Sequence, residues 1–371
     1  MRDRRDIERL KDMAHARIGE LLSSLGVSVP PRGLGNYVAL RSPVRTDKNA
    51  SLVIWTKGGS VAFKDYGSGA QGDVFGLIAY LKQWDHQADK GFADARRWLE
   101  DRLGLRHLSA RERTRLAEAA RKSQATAQAE ARRDDAARRA SARALFHLGE
   151  PVLGTLAETY LRHRGIDLTR EPFRGPRGGE LAPGALRFIR SLIHIDHDGN
   201  RESMWPAMIA AIVDYAGHYG MRGRVVAVHR TWLARDGKSK APVNRPKMVL
   251  GSYQGCVIPL WRGSSGLPAL AAMRTGLRET VALYEGIEDG LTGVLAAPAY
   301  RTWAVISLGN LGNVPALDLI DSALIHRQND WTKLQAVEQF DRAKTRLENR
   351  GWAVSEIHAS TGKDINDTLR G

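Results

Sequence analysis

A glutamate that closes a short apolar run and is followed by glycine is the first feature with chemistry in it. Val281, Ala282, Leu283 and Tyr284 make the run, which has the composition and length of a buried strand. The run stops at Glu285-Gly286, and a new apolar set, Ile287, Leu291 and Val294, recurs at helical spacing. Glu285 therefore sits at the C-terminal end of a strand, in the turn that leads into a helix. In open α/β sheets that edge is where ligands bind. A carboxylate there, beside a glycine that lets the backbone approach closely, suits a divalent metal on a phosphate. An ordinary surface glutamate in a strand–helix turn fits the same residues.

The elements that must hold this turn follow in order. Trp303 to Gly309 reads as a second strand ending at glycine, and Ser322 to Ile325 as a third, followed by Gln328-Asn329-Asp330. Leu334, Val337, Phe340, Ala343 and Leu347 share one face of a helix, with Arg342, Lys344 and Arg346 on the polar side. Trp352-Ala353-Val354 and Ile357 give a fourth strand. Strand–helix alternation of this kind predicts a small, mostly parallel α/β domain over 279–371.

These residues resemble a Toprim domain: Glu285-Gly286-x-x-Asp289, a middle strand ending in Ser/Gly, an Asx-rich turn after the third strand, and the closing Gly362-Lys363-Asp364-x-Asn366-Asp367-x-Leu369. Toprim is the metal-binding domain of bacterial-type primases, type IA and II topoisomerases and some nucleases. The closing motif is similar to that of phage- and plasmid-type primases. The resemblance implies that Glu285, Asp289 and Asp330 are catalytic and that Mg²⁺ or Mn²⁺ is held by Glu285 and Asp330. It places Gln328, a neutral amide, where the family has the first carboxylate of Asp-x-Asp. Lys363 is expected to meet nucleotide or nucleic acid.

The charge balance points the same way. Across 371 residues, Lys+Arg number 56 against Asp+Glu 41, a net charge of +15. That favours a polyanionic partner, nucleic acid first and an anionic membrane second. A hydrophobic content of 43% supports globular cores, and the length allows two or three domains. No apolar run approaches the roughly 20 residues of a membrane span. The N-terminal MRDRRDIERL has no signal-peptide core, so a soluble cytoplasmic protein without a membrane partner is expected. The single cysteine, Cys256, excludes an intramolecular disulfide and a Cys-rich zinc site, and reads as a small buried residue.

The N-terminal part reads as an amphipathic helix from Asp6 to Leu25 and three strands: Tyr37–Leu40, Ser51–Trp55 and Val61–Tyr66. Gly58-Gly59 turns the last pair, Asp73 caps a following helix, and Val38, Leu40, Val53, Trp55 and Phe63 are the expected core. The order of pieces resembles the N-terminal zinc-binding domain of bacterial-type primases. By that resemblance the four ligand positions hold Ser42, Arg45, Asp65 and Ser68, which implies a zinc-less version. An unrelated three-stranded sheet is the alternative.

From Ser109 to Arg143 the chain is rich in Ala, Arg, Gln and Glu, which predicts an exposed basic helix whose arginines either meet phosphates or are merely solvated. Beyond it, Trp205–Asp214 and Arg224–Leu233 read as strands, and His194, Asp196, His197 and Asp198 belong to a turn region rather than a metal site. The Arg224–Leu233 strand and the basic loop after it are similar to the basic subdomain that precedes Toprim in primases. That similarity implies that Arg230, Lys238, Lys240 and Lys247 face template or nucleotide phosphates; a solvated loop is the alternative. No P-loop and no Gly-x-Ser-x-Gly motif occurs.

The expected architecture is α/β with α+β N-terminal parts. A zinc-less small antiparallel sheet covers 1–106, a basic helical linker 107–144, a primase-type basic subdomain 145–278, and a Toprim parallel sheet with flanking helices 279–371. The expected function is that of a DNA primase, a nucleotidyltransferase. It would make short RNA primers from NTPs on single-stranded DNA for phage or plasmid replication, beside a separate replicative helicase, with Mg²⁺ or Mn²⁺ and no zinc. A catalytically degenerate single-stranded-DNA-binding scaffold and a Toprim nuclease are the alternatives.

Overall fold

Four short extended segments near the N-terminus pair into an antiparallel sheet in the computed structural model. The structure describes residues 2–28, 37–47, 50–56, 59–85, 89–105, 110–173, 183–196, 202–216, 223–328, 334–359 and 365–370. The chain divides into two compact units, Met1–Asp134 and Asp135–Gly371.

In the first unit, helices α1 (Arg2–Ala16) and α2 (Ile18–Ser24) precede β1 (Tyr37–Leu40), β2 (Leu52–Trp55), β3 (Ala62–Asp65) and β4 (Gln71–Asp73). Helices α3 (Val74–Leu81) and α4 (Asp89–Arg102) follow. The Asp73 side chain accepts hydrogen bonds from the Phe75 and Gly76 amides and so caps α3. Val38 pairs with Ile54, and Ile54 with Phe63, so these three share the core face. The alternation of β2 then corrects the expected core: Leu52 and Ile54 are buried, while Val53 and Trp55 lie half-buried on the other face.

Ser42, Arg45, Asp65 and Ser68 come together in this unit around one carboxylate. The Arg45 guanidinium donates to Asp65 at 2.9 and 3.2 Å, and the Gly67 amide donates at 2.7 Å. Tyr80 donates its hydroxyl to the same carboxylate. The Ser42 and Ser68 hydroxyls lie 3.0 and 3.4 Å from that of Tyr80. Asp65 is fully buried. Burial alone would raise its pKa, but Arg45, Tyr80 and the amide of Gly67 outweigh it and hold the carboxyl well below the usual range.

Helix α5 (Ala110–Leu148) begins in the first unit, where Ala120 joins the core, and ends in the second, where Ala142 and Phe146 do. The second unit continues with α6 (Leu156–His163) and the strands β5 (Leu186–Ile195), β6 (Glu202–Asp214), β7 (Arg224–Trp232) and β8 (Lys247–Leu250), an antiparallel sheet in that order. Then come β9 (Ile258–Arg262), α7 (Ala269–Arg274), β10 (Glu279–Tyr284), α8 (Ile287–Ala296), β11 (Arg301–Ala304), α9 (Leu308–Leu311), β12 (Ile320–Arg327), α10 (Leu334–Glu348), β13 (Ala353–His358) and α11 (Ile365–Arg370).

The second sheet has the order β13-β12-β10-β11-β9, parallel except for β9. The mostly parallel α/β arrangement expected for 279–371 is therefore present, with an antiparallel edge strand added from 258–262. The two sheets of this unit share one core, with residues such as Ile209 and Val228 in the same buried cluster as Leu283 and Trp303. Cys256 is buried in it, and burial pushes its thiol up to about 11.

Candidate active site at the strand ends

Strand β10 lies between β11 and β12, so the chain leaves it toward one side and returns on the other. The crevice at such a reversal, outside the carboxyl ends of the strands, is the favoured ligand position of open α/β sheets. The residues just past those ends are Glu285, Ile306 and Gln328, and all three line one cavity of about 280 Å³.

Helix α8 starts in this cavity. A Cβ added at Gly286 would lie 3.1 Å from Asp289 Oδ2 and 3.7 Å from Glu288 Oε2, so glycine leaves the space into which two carboxylates turn. Glu288 and Asp289 are 6% and 5% exposed. Two acids in the first helical turn are favoured there by the helix dipole. Close packing beneath depends on a further glycine: a methyl group at Gly293 would overlap the Tyr284 ring.

The opposite wall is basic. Lys247 of β8 places its ammonium 2.9 Å from the Glu288 carboxylate, and Tyr160 of α6 donates its hydroxyl to the same group at 2.7 Å. Burial would raise the Glu288 pKa, but Lys247 and Tyr160 together hold it well below the usual carboxylate range. The same burial pushes the Tyr160 hydroxyl well above its ordinary value. Lys240 stands beside Lys247; burial and that like charge bring its pKa down to about 8. His229, half-buried in the cavity lining, falls to about 4 for the same two reasons and is neutral at pH 7. Arg164 lines the cavity just past the end of α6.

Two more features fix the acidic side. The Asn366 amide N–H donates to Asp289 at 3.4 Å, and its side-chain NH₂ donates to the Arg164 carbonyl and to Thr292 Oγ1. The other feature is Ile306, whose φ is 76°. A β-branched residue in the left-handed region is strained, and such strain gathers at functional sites. The kink lets consecutive N–H groups, of Val305 and Ile306, donate to the consecutive carbonyls of Tyr284 and Glu285 at 2.8 and 3.0 Å.

The donors present fit a hard divalent cation. Glu285, Asp289 and Gln328 all line the cavity and carry side-chain oxygens of the kind such a cation takes. Asn366 Oδ1 is buried with no hydrogen-bond donor among the described residues. Among those residues no group of three or more His, Cys, Asp or Glu side chains forms a metal cage. Mg²⁺ needs no such cage, since it binds through one or two carboxylates plus waters and substrate phosphates.

Of the residues expected from sequence, Glu285, Asp289, Gln328, Lys240 and Lys247 come together here. Arg230 does not line the cavity. It is next to His229 on β7, points to the other face of the sheet and stacks on the Trp232 ring at 5.0 Å. Lys238 is exposed on the loop after β7, also away from the cavity. Asp330 and Lys363 lie outside the described residues. His194 is buried edge-on against Trp232. Sequence reasoning missed Tyr160, Arg164, His229 and Glu288 as site residues. For Glu288 the signal was its position beside Asp289 in the same first turn.

Residues 280–371 match a family profile described as the Toprim domain. The C-terminal sheet is Toprim-like. Residues 136–260, which supply the basic wall facing the Toprim-like sheet, match a profile described as a domain of unknown function, DUF7146. No curated protein matches the chain. Among solved structures, a DNA primase domain from Pseudomonas aeruginosa is similar at 16% identity over 63% of this chain and 74% of that one, with a TM-score of 0.37. The DnaG primase catalytic domain bound to ssDNA is similar at 14% identity over 62% of this chain and 73% of that one, also at 0.37. No described helix is long and apolar enough to cross a membrane.

Proposed function

We propose that the protein is a primase, a metal-dependent nucleotidyltransferase that makes short RNA primers on single-stranded DNA. The observation that carries this reading is the pairing of two walls in one cavity: Glu285, Asp289 and Gln328 on the Toprim-like side, Arg164, Lys240 and Lys247 on the other. Oxygen ligands opposite fixed cations are the parts that phosphoryl transfer uses, where catalysis is mostly positioning and charge neutralisation.

In the reaction a sugar hydroxyl oxygen attacks the α-phosphorus of an NTP, loses its proton, and pyrophosphate leaves. Glu285, Asp289 and Gln328 would hold Mg²⁺ or Mn²⁺, which when bound neutralises charge on the reacting phosphate. Lys240 and Lys247 bind the phosphates that depart. Arg164 orients the chain of phosphates from the end of α6. Glu288, already engaged by Lys247 and Tyr160, keeps Lys247 in place. The closing motif's likeness to phage- and plasmid-type primases ties this reading to mobile elements, with a separate helicase as partner and a cytoplasmic setting.

Incubation with single-stranded template, labelled NTPs and either metal tests the reading. Short labelled RNA from the wild type, absent with Glu285→Ala, is the expected result. Cleavage of labelled DNA in place of synthesis would mean a nuclease. DNA binding with neither activity would mean a scaffold, the reading that the neutral Gln328 favours.

A further inference from the structure

The cavity at the strand ends holds two lysines whose surroundings differ. Thr231 pairs with Lys247 and Leu233 with Lys240, so both lysines project from one face of the antiparallel sheet, the face on which His229 lies. The turn between β7 and Lys240 is fixed. Its ends close where the Ala234 amide donates to the Ser239 carbonyl at 2.9 Å. Gly237 within it has a φ of 70°, and a Cβ there would lie 3.1 Å from the Leu156 carbonyl oxygen of α6, so glycine lets the turn settle onto that helix.

The two ammonium groups are engaged differently. Lys247 is committed to Glu288 at 2.9 Å. Lys240 lines the same cavity half-buried and makes no ion pair with a carboxylate among the described residues. Burial and the charges of Lys247 and Arg164 bring its pKa down to about 8, against the pull of Glu288. A lysine in that range still carries its proton at pH 7 and gives it up readily, which is the condition for general acid catalysis near neutrality.

No other group on the basic wall meets that condition. A proton leaving Lys247 would leave the buried Glu288 carboxylate facing a neutral amine. Arg164 does not release a proton in a protein. His229, near 4, has none to give at pH 7. Tyr160 donates its hydroxyl to Glu288, and burial holds that proton in place.

We propose that Lys240 is a catalytic acid, its ammonium donating a proton to the pyrophosphate that departs from the NTP, while Lys247 stays charged as a fixed counter-ion. The step balances. The sugar oxygen forms its bond to the α-phosphorus and releases its proton to solvent. The bond from the α-phosphorus to the bridging oxygen breaks, that oxygen takes the Lys240 proton, and the amine recovers one from solvent. The role rests on the primer-synthesis reading and adds to it a proton transfer that phosphate binding alone does not need.

Single-turnover nucleotide addition by the full chain on single-stranded template tests it. Lys240→Arg keeps the charge but does not release its proton. The rate at saturating NTP should fall at least about 100-fold, the lower end of what a positioned acid supplies. Affinity for ATP with Mg²⁺, measured by calorimetry, should be unchanged, which also shows that the variant is folded. The wild-type rate should fall above pH 8 as Lys240 loses its proton, and that limb should be missing from the variant. The leaving group gives the deciding comparison. A β,γ-difluoromethylene NTP releases a weaker base than a β,γ-methylene NTP and so needs the proton less. The loss in Lys240→Arg should therefore be smaller with the difluoromethylene substrate, whereas a merely structural role gives the same loss with both. Equal saturating rates in wild type and Lys240→Arg, or an equal loss with both leaving groups, would overturn the proposal and leave the priming reading standing. No primer from the wild type with either metal would overturn the priming reading and this role with it.

Discussion

Lys247 and Glu288 meet at 2.9 Å, a cation on the edge strand of the antiparallel sheet against a carboxylate in the first turn of a helix that packs on the Toprim-like sheet. The pair ties the two walls of the cavity together. Removing the cation leaves a buried carboxylate held only by Tyr160 and the more distant Lys240. Lys247→Met should cost about 2–3 kcal/mol at pH 7, below the roughly 3–5 kcal/mol of a fully buried broken pair. The reason for the smaller figure is that Lys247 is 34% exposed.

The pH dependence has a definite sign. Because Glu288 is depressed in the folded state, its contribution is present above the unfolded value, about 4.3, and is lost as pH falls toward the folded one. The melting-temperature gap between wild type and Lys247→Met should therefore narrow from pH 7 to pH 4. A gap of constant size would remove Glu288 as the partner.

Lys240 gives a slope of the same sign in a higher pH range. Its pKa near 8 lies below the ordinary lysine value of 10.5, so between the two the unfolded chain holds more protons and stability rises with pH. Triphosphate binding runs the other way, strongest where Lys240 is charged and falling as pH passes 8. Lys240→Arg, which stays charged, should flatten the binding profile between pH 7 and 9. Retention of the full fall in that variant would assign the titration to another group.

Much of this was legible in the sequence, and the limits have physical causes. The apolar run before Glu285 and the helical spacing after Gly286 located the turn, because strand and helix periods differ sharply within a few residues. The basic loop pattern picks out Lys240 and Lys247, which line the cavity, and groups with them Arg230, which does not. Strand alternation sends Arg230 to the face opposite His229, and the pattern of a strand buried on both sides does not show which face is which. Val53 and Trp55 were misplaced for a related reason: all four residues of Leu52–Trp55 are apolar, so only the pairing with Val38 and Phe63 sets the face. Tyr160 and Glu288 are 128 residues apart, and nothing local in sequence joins them.

In the N-terminal unit, Asp65 is the centre to which Ser42, Arg45 and Ser68 converge, the two serines through Tyr80. Asp65→Asn removes the charge that Arg45 and Tyr80 satisfy. It should lower the melting point of this unit by more than about 4 °C, the shift that about 1 kcal/mol gives in a domain near a hundred residues. Removing the exposed Asp6 beside Arg9 should change little. Elemental analysis of the purified protein should find no stoichiometric zinc, and a chelator should leave the melting point unmoved. One tightly held zinc per chain would show that the polar centre is not what holds the sheet.

The metal-facing side of the cavity gives the last test. Glu285 and Gln328 follow the ends of adjacent parallel strands, and Asp289 turns toward Gly286 from the first turn of α8. An amide oxygen ligates Mg²⁺ but adds no negative charge, so Gln328 makes the wall a weaker site than a carboxylate would. Mg²⁺ binding is expected no tighter than about millimolar, the weak end of oxygen-ligand sites. Priming should be slow or require Mn²⁺. Gln328→Asp should tighten Mg²⁺ measured by calorimetry without nucleotide, and Glu285→Ala should abolish it. Both readings are independent of activity, so a folded but inactive protein still decides the question. If Glu285→Ala binds Mg²⁺ as the wild type does, the carboxylate at the end of β10 is not the ligand. If Gln328→Asp binds no better, the amide does not face the ion, and the cation must sit nearer Asp289 and the buried oxygen of Asn366.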